Sequence, residues 1–247
     1  MALLVRSVTG DGLVGYRSPA LERLGVPHLF TTRCGGAQGE LDLTRVEGEV
    51  ARRVAAAVGL PGAHVLRVRQ VHGRAVVDAD AAEPGVVLEG DALVVSRAGR
   101  LVAARVADCV PILLAGPGGR RVAAVHAGWR GLVGGAIEAG LQALGPCAGA
   151  AVGPCLSLAR FEVGPEVAQR FRAAGLGAAV EEGAERPHVD LRRAAQLVLA
   201  RAGVPDLDTT DRCTWEDGQE FYSHRRDVTH GGAATTGRMA GVIGAAG

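Results

Sequence analysis

The stretch from Val102 to Leu132 constrains this chain more than any other. Two apolar, β-like runs lie in it, Val102 to Val106 and Ile112 to Leu114, and a third runs from Val122 to Val125 after a Gly/Pro/Arg turn. The turn between the first two carries Asp108 and Cys109, and the third run ends on His126, followed by Gly128-Trp129-Arg130-Gly131. A strand that stops at a Cys or a His holds that side chain rigidly at the mouth of a core. A similar ending occurs upstream, where Val65 to Val71 runs into His72 and Gly73. The expectation is that His72, Cys109 and His126 meet in space.

Composition narrows the class. The chain has 247 residues, 48% of them apolar, enough for a sizeable core. Its formal net charge is +1 and every basic residue is Arg, so no basic face is indicated and nucleic acid is a poor partner. Five cysteines (Cys34, Cys109, Cys147, Cys155 and Cys213) in a chain of this size argue against a disulfide framework. The N-terminus lacks the charged and apolar regions of a signal peptide, and no run approaches the roughly 20 apolar residues of a membrane span. A soluble, cytoplasmic monomer is expected.

Periodicity predicts strands at residues 3–8, 29–34, 65–71, 74–77, 91–95, 101–106, 112–115, 122–126 and 148–153, and two more between Cys213 and Ile243. The strands from 101 to 126 are expected to continue one sheet. Helices are predicted over 47–58, 129–144, 165–174 and 191–202, the last capped by Asp190. Gly10-Asp-Gly12-Leu-Val-Gly15 matches a dinucleotide fingerprint by letter, but Tyr-Arg-Ser-Pro follows at once and no helix can open there, so a hairpin is expected. Strands and helices interleave without a regular βαβ beat. The fold class is therefore mixed α/β (α+β): one domain over residues 1–247, with mixed β-sheets flanked by helices.

Two imidazoles and a thiolate suit Zn²⁺, and three protein ligands leave a catalytic position open. The spacing matches no local finger, so the fold must assemble the site. Taken singly, Cys109 reads as a buried small residue and each His as a satisfied loop residue; the three similar settings are what favour a joint site. Asp108 is either a turn-forming acid or a group that orients a ligand or takes a proton. Arg33, Arg130 and Arg225, beside glycines or in a polar loop, are candidates for bidentate phosphate contact, with Arg226 and Arg238 behind them. Three rival readings stay open. Cys109 with His126 could form a metal-free thiol hydrolase. Copper could replace zinc, since a blue-copper site also uses two His and one Cys, although its axial Met would have to be Met1 or Met239. A structural zinc module would need a fourth ligand from Cys155, Cys213 or His224.

The motifs Gln70-Val-His-Gly73, Ala107-Asp-Cys-Val-Pro111, Ala124-Val-His-Ala-Gly-Trp-Arg-Gly-Leu132, Gly153-Pro-Cys155, Phe161-Glu-Val-Gly164, Arg212-Cys-Thr214, Tyr222-Ser-His-Arg-Arg-Asp227 and Thr236-Gly-Arg238 resemble the bacterial laccase-domain or polyphenol-oxidase family. The resemblance covers the chain from Thr31 to its end. It implies zinc held by His72, Cys109 and His126, and a fold like the cytotoxic-necrotizing-factor catalytic domain; the family's older name suggests a copper-dependent polyphenol oxidase, for which seven histidines are few, though Cu²⁺ could compete for the same donors. It also implies phosphorolysis of adenosine, inosine, guanosine and methylthioadenosine, and deamination of adenosine. Four positions depart from the family pattern: Asp42 and Val50 stand where Asn is usual, Ala51 where Arg is common, and His224 where an aromatic residue is common.

Overall fold

Strands that are apolar at every position must be covered on both faces, and that requirement sets the architecture. A computed structural model of the protein describes residues 2–82 and 87–247. In chain order its strands are β1 (Val5–Val8), β2 (Leu13–Arg17), β3 (His28–Gly35), β4 (His64–Leu66), β5 (Val76–Asp78), β6 (Ala92–Val95), β7 (Arg100–Val106), β8 (Val110–Ala115), β9 (Val122–Ala127), β10 (Gly149–Val152), β11 (Val180–Glu181), β12 (His188–Val189), β13 (Leu207–Asp208) and β14 (Met239–Gly244). The helices are α1 (Pro19–Arg23), α2 (Gly48–Val58), α3 (Trp129–Gly134), α4 (Ala136–Leu144), α5 (Pro165–Ala173) and α6 (Leu191–Arg201).

Two six-stranded mixed sheets result, ordered β1-β2-β3-β14-β7-β4 and β13-β10-β8-β9-β6-β5, with a small β11-β12 ladder beside them. Alternation along each strand sends side chains to two different cores. Val102, Ala104 and Val106 of the first sheet meet Leu113, Ala115 and Ala124 of the second in a core between the sheets, which also holds Phe30 and Phe221. On the outer face of the first sheet, Leu101, Ala103 and Val242 pack with Val54 and Val58 of α2. On the outer face of the second, Ile112, Leu114 and Val125 pack with Ile137 of α4, Phe171 of α5 and Val198 of α6. The layers therefore run helix, sheet, sheet, helices. No helix among the described residues is long and apolar enough to cross a membrane.

The sequence expectation of mixed sheets with helices outside holds, and β1 and β2 form the expected antiparallel hairpin. Asp190 caps α6, its Oδ1 accepting from Arg193 N at 2.9 Å. Four expectations are corrected. The strands from 101 to 126 do not continue one sheet, because β7 belongs to the first and β8 and β9 to the second. Residues 65–77 do not form two long neighbouring strands: β4 and β5 are short and lie in different sheets, because the amides of Val71, His72 and Gly73 donate to the Asp91 carboxylate rather than to a ladder. Residues 129–144 form two helices, since Gly135 at φ 85° ends α3 and begins α4. No strand forms between Cys213 and Asp227. Asp227 there accepts from Ser223 N at 3.3 Å and Thr236 Oγ1 at 2.6 Å, and such local bonds compete with a ladder; the chain then makes a wide helical turn over Arg225–His230.

The topology also fixes where function can lie. Besides a short return between β6 and β7, the chain passes from the first sheet to the second between β4 and β5 and between β7 and β8, and it returns between β13 and β14. The register brings these crossings to one end of the sandwich: β4 runs parallel to β7, and Met239 at the start of β14 faces Val106 at the end of β7. Close packing at this end is sensitive to volume. A Cβ on Gly153, which follows β10, would lie 2.4 Å from the Phe30 ring and 2.8 Å from Pro111 Cγ. Gly153→Ala is expected to cost about 1–3 kcal/mol by overpacking, read as a lower urea midpoint at unchanged slope.

Candidate metal centre and active site

Register places the site residues. Val110 of β8 pairs with Ala127 of β9, which sets the preceding Cys109 opposite Gly128. Ala92 of β6 pairs with Val125 of β9, which sets the preceding Asp91 opposite His126. The crossing between β4 and β5 supplies His72. The three ligand atoms of His72, Cys109 and His126 lie within 4.8 Å of one another, and the two imidazoles meet edge to face with centroids 5.0 Å apart. A Cβ on Gly128 would fall 2.9 Å from Cys109 Sγ and 3.0 Å from His72 Cδ2. A residue without a side chain is thus required for the thiol and the imidazole to approach.

Asp91 ties these parts together, and sequence reasoning missed it. Its Oδ1 meets His126 Nδ1 at 2.8 Å, which leaves Nε2 for the cluster. The same carboxylate accepts the amides of Val71, His72 and Gly73 at 3.3, 2.9 and 2.7 Å. Burial opposes its ionisation, but the bonds from His126 and these amides outweigh burial and hold it below the ordinary carboxylate value. An acid immediately before an apolar strand whose antiparallel partner ends on a His was the available signal; pairing β6 with β9 was the step that could not be read.

The local backbone and charges bear on chemistry. Among the described residues, His72 at φ 59° and Asp108 at φ 90° are the non-glycine residues with positive φ, a strain that characteristically collects at functional sites. Asp108 is held by Thr214 Oγ1 donating to its Oδ1 at 2.6 Å and by Arg225 N donating to its Oδ2 at 2.6 Å. Burial alone would push the Cys109 thiol up; His126, and then His72, pull it down to about 6. Burial alone would lower His126; the facing thiolate and Asp91 raise it to about 9. Without a metal, each group thus favours the charged form of the other, a thiolate facing an imidazolium.

The three residues open into a cavity of about 560 Å³. One part of its lining is apolar and aromatic, with Leu156 and Phe161 beside His224 and Arg225. Another part is polar, with Thr44, Gln70, Arg105, Thr236 and Arg238. Of the three leading sequence candidates for anion contact, Arg225 lines the cavity, its guanidinium 5.4 Å from the Phe161 ring centroid, and of the two ranked behind them Arg238 lines it as well. Arg33 and Arg130 are not in the lining. Arg33 binds Glu40 and Gly218 O and lies over the Tyr222 ring at 4.6 Å; Arg130 is exposed on α3 and lies over Trp129 at 4.5 Å. Cys155 and Cys213 are buried and pair in an isolated β-bridge outside the cluster. The Met239 sulfur accepts Tyr222 N at 3.1 Å, and Met1 lies outside the described residues.

Donor chemistry and placement fit an N₂S metal site with one position free. Asp91→Ala is expected to weaken metal binding by about 10- to 100-fold, the usual cost of losing a group that orients a ligand. Competition with a chromogenic chelator reads this, with circular dichroism confirming the fold.

A family model described as multi-copper polyphenol oxidoreductase laccase matches residues 27–246. A Deinococcus radiodurans protein named purine nucleoside phosphorylase is 42% identical over 96% of this chain and 95% of its own length. The Escherichia coli purine nucleoside phosphorylase YfiH is 36% identical over 78% of each chain. Among solved structures, a Neisseria meningitidis protein superposes with a TM-score of 0.77 at 32% identity over 99% of both chains. YlmD of Geobacillus stearothermophilus gives 0.80 at 26% identity, over 99% of this chain and all of its own. With a family model over most of its length and relatives of this similarity, the chain belongs to the multi-copper polyphenol oxidoreductase laccase family.

Proposed function

We propose that the protein is a zinc-dependent purine nucleoside phosphorylase acting on adenosine, inosine, guanosine and methylthioadenosine, with adenosine deamination as a second activity of the same site. The observation that carries this reading is the convergence of His72, Cys109 and His126 on a cavity with an aromatic and a cationic part, in a chain whose relatives in Deinococcus radiodurans and Escherichia coli bear the phosphorylase name. Thiolate and imidazole suit zinc, and Cu²⁺ would compete for the same donors. Bound there, the ion would supply a Lewis acid at the cavity floor. Asp91 orients His126 and the His72 loop. Phe161 offers a ring face to a purine. Asp108 is a positioning residue in this scheme: its two hydrogen bonds fix the turn that presents Cys109 and the backbone of Arg225.

With phosphate, adenosine is expected to yield adenine and a ribose phosphate; without it, inosine should form slowly. His72→Ala and His126→Ala should each lose metal and turnover while remaining folded. Metal analysis of protein purified without added metal decides between zinc and copper. Absence of product in both conditions from zinc-replete protein would defeat the proposal.

One observation favours a second reading. Asp91, His126 and Cys109 form a line of orienting acid, base and thiolate, the arrangement of a cysteine hydrolase. Reactivity separates the two. A thiolate held by zinc shares its charge with the metal. Iodoacetamide should therefore spare the zinc-loaded protein and alkylate Cys109 once a chelator is added, at a rate that rises as pH passes about 6, where the depressed thiol ionises. Rapid alkylation of untreated protein, with unchanged turnover after complete metal removal, would install the hydrolase instead.

A further inference from the structure

The sequence ranks Arg33, Arg130 and Arg225 ahead of Arg238 for anion contact, yet the cavity holds Arg238 together with Arg105, and neither makes an ion pair among the described residues. Arg105, on β7, donates to Thr44 O at 2.7 Å and to Val68 O at 3.4 Å. Arg238, just before β14, donates to Thr236 O at 2.8 Å and Gly237 O at 3.0 Å. Among the described residues, every hydrogen bond from either guanidinium thus ends on a backbone carbonyl, and Arg105 Nε is buried without a partner. The neighbouring Asp42 is not in the cavity lining; its Oδ1 accepts from Thr44 N at 2.8 Å, Thr44 Oγ1 at 2.7 Å and Arg238 N at 2.9 Å, which fastens the loop that carries Thr44 to the start of β14. Burial first, and then the positive charges of Arg67 and Arg238, hold the Arg105 pKa below its ordinary value. The Arg238 charge helps hold Asp42 ionised, but among the described residues no carboxylate comes within ion-pair distance of either guanidinium, and two crowded, partly buried cations so placed are a site prepared for an anion.

Gln70 ties this group to the metal-ligand loop. Its side-chain Oε1 accepts Arg105 N at 2.9 Å and its Nε2 donates to Arg105 O at 2.7 Å, two residues before His72. The carboxylate in the lining, Asp108, is held by Thr214 Oγ1 and Arg225 N and makes no ion pair with either arginine.

We infer that Arg105 and Arg238 form the subsite for inorganic phosphate, the co-substrate of phosphorolysis, in the same cavity that Leu156 and Phe161 line. This assignment rests on the phosphorylase reading and adds to it the residues that hold the second substrate. Planar guanidinium forks suit a tetrahedral oxyanion, and charge-assisted bonds are the stronger class. The anion would lie in the cavity with its charge balanced, ready to attack the sugar carbon as the bond to the purine breaks. The phosphate oxygen forms the new C–O bond, and the electron pair of the C–N bond leaves with the base.

The test uses the zinc-loaded enzyme and its Arg105→Gln, Arg238→Gln and Arg238→Lys variants, each checked for retained zinc and a cooperative thermal unfolding transition. Phosphate is varied at saturating nucleoside, then nucleoside at saturating phosphate. Either Gln variant is expected to raise the KM for phosphate by about 10- to 100-fold, as loss of a charge-assisted contact should, while the KM for nucleoside changes by less than about threefold. Arg238→Lys should recover part of the loss, because it restores charge without the fork. Calorimetric titration with inorganic phosphate provides a readout independent of turnover and should show the same losses. If the wild-type enzyme binds phosphate through these arginines but cleaves no nucleoside, the phosphorylase reading fails and the anion subsite stands. If wild-type phosphorolysis is present and the phosphate KM is unchanged in both Gln variants, the subsite is wrong. It is equally wrong if Arg33→Gln or Arg130→Gln raises that KM instead, or if the variants lose affinity for adenosine monophosphate alone.

Discussion

The contact between the Asp91 carboxylate and His126 Nδ1 at 2.8 Å is the interaction on which the rest of the site depends. It is short, buried and made between neighbouring strands whose register already joins them, with His126 N donating to Asp91 O at 2.7 Å. By also binding the amides around His72, one carboxylate fixes a donor on the second sheet and a donor on the crossing that enters that sheet. A buried acid is costly unless fully hydrogen-bonded, and here the bonds that meet that cost are the ones that aim the imidazoles.

The cavity divides its chemistry along the chain. Residues after β10, Leu156 and Phe161, give an apolar and aromatic part, whereas β7, the loop carrying Thr44 and the approach to β14 give a cationic part. A purine and an anion have opposite demands on their surroundings, one wanting flat apolar surface and the other uncompensated positive charge. A single cleft can serve both only if these surfaces come from different elements, as they do at the end of a two-sheet sandwich.

Much of this was legible in the sequence. His72, Cys109 and His126 could be singled out because each ends an apolar run beside a turn residue, a pattern that survives without knowing the sheets. What could not be read was which strand pairs with which. Asp91 is ordinary until β6 lies against β9, and Arg105 looks like the polar member of an apolar strand until β7 is set in the sheet opposite β8. The same ignorance gave a single sheet for residues 101–126 and a strand for the segment around Asp227, where side-chain hydrogen bonds rather than apolar alternation decide the backbone. Arg33 and Arg130 drew attention for their glycine neighbours; each instead lies over an aromatic ring outside the cavity.

Gly128 carries a consequence of another kind. Because the strand register, one carboxylate and a missing side chain already hold the donors together, an arriving ion finds its coordination sphere largely prepared. Little chain entropy is surrendered on binding, unlike in small metal-folded modules, where ligation and folding are one event. The affinity of any ion held there would accordingly be set by donor chemistry and proton competition rather than by folding.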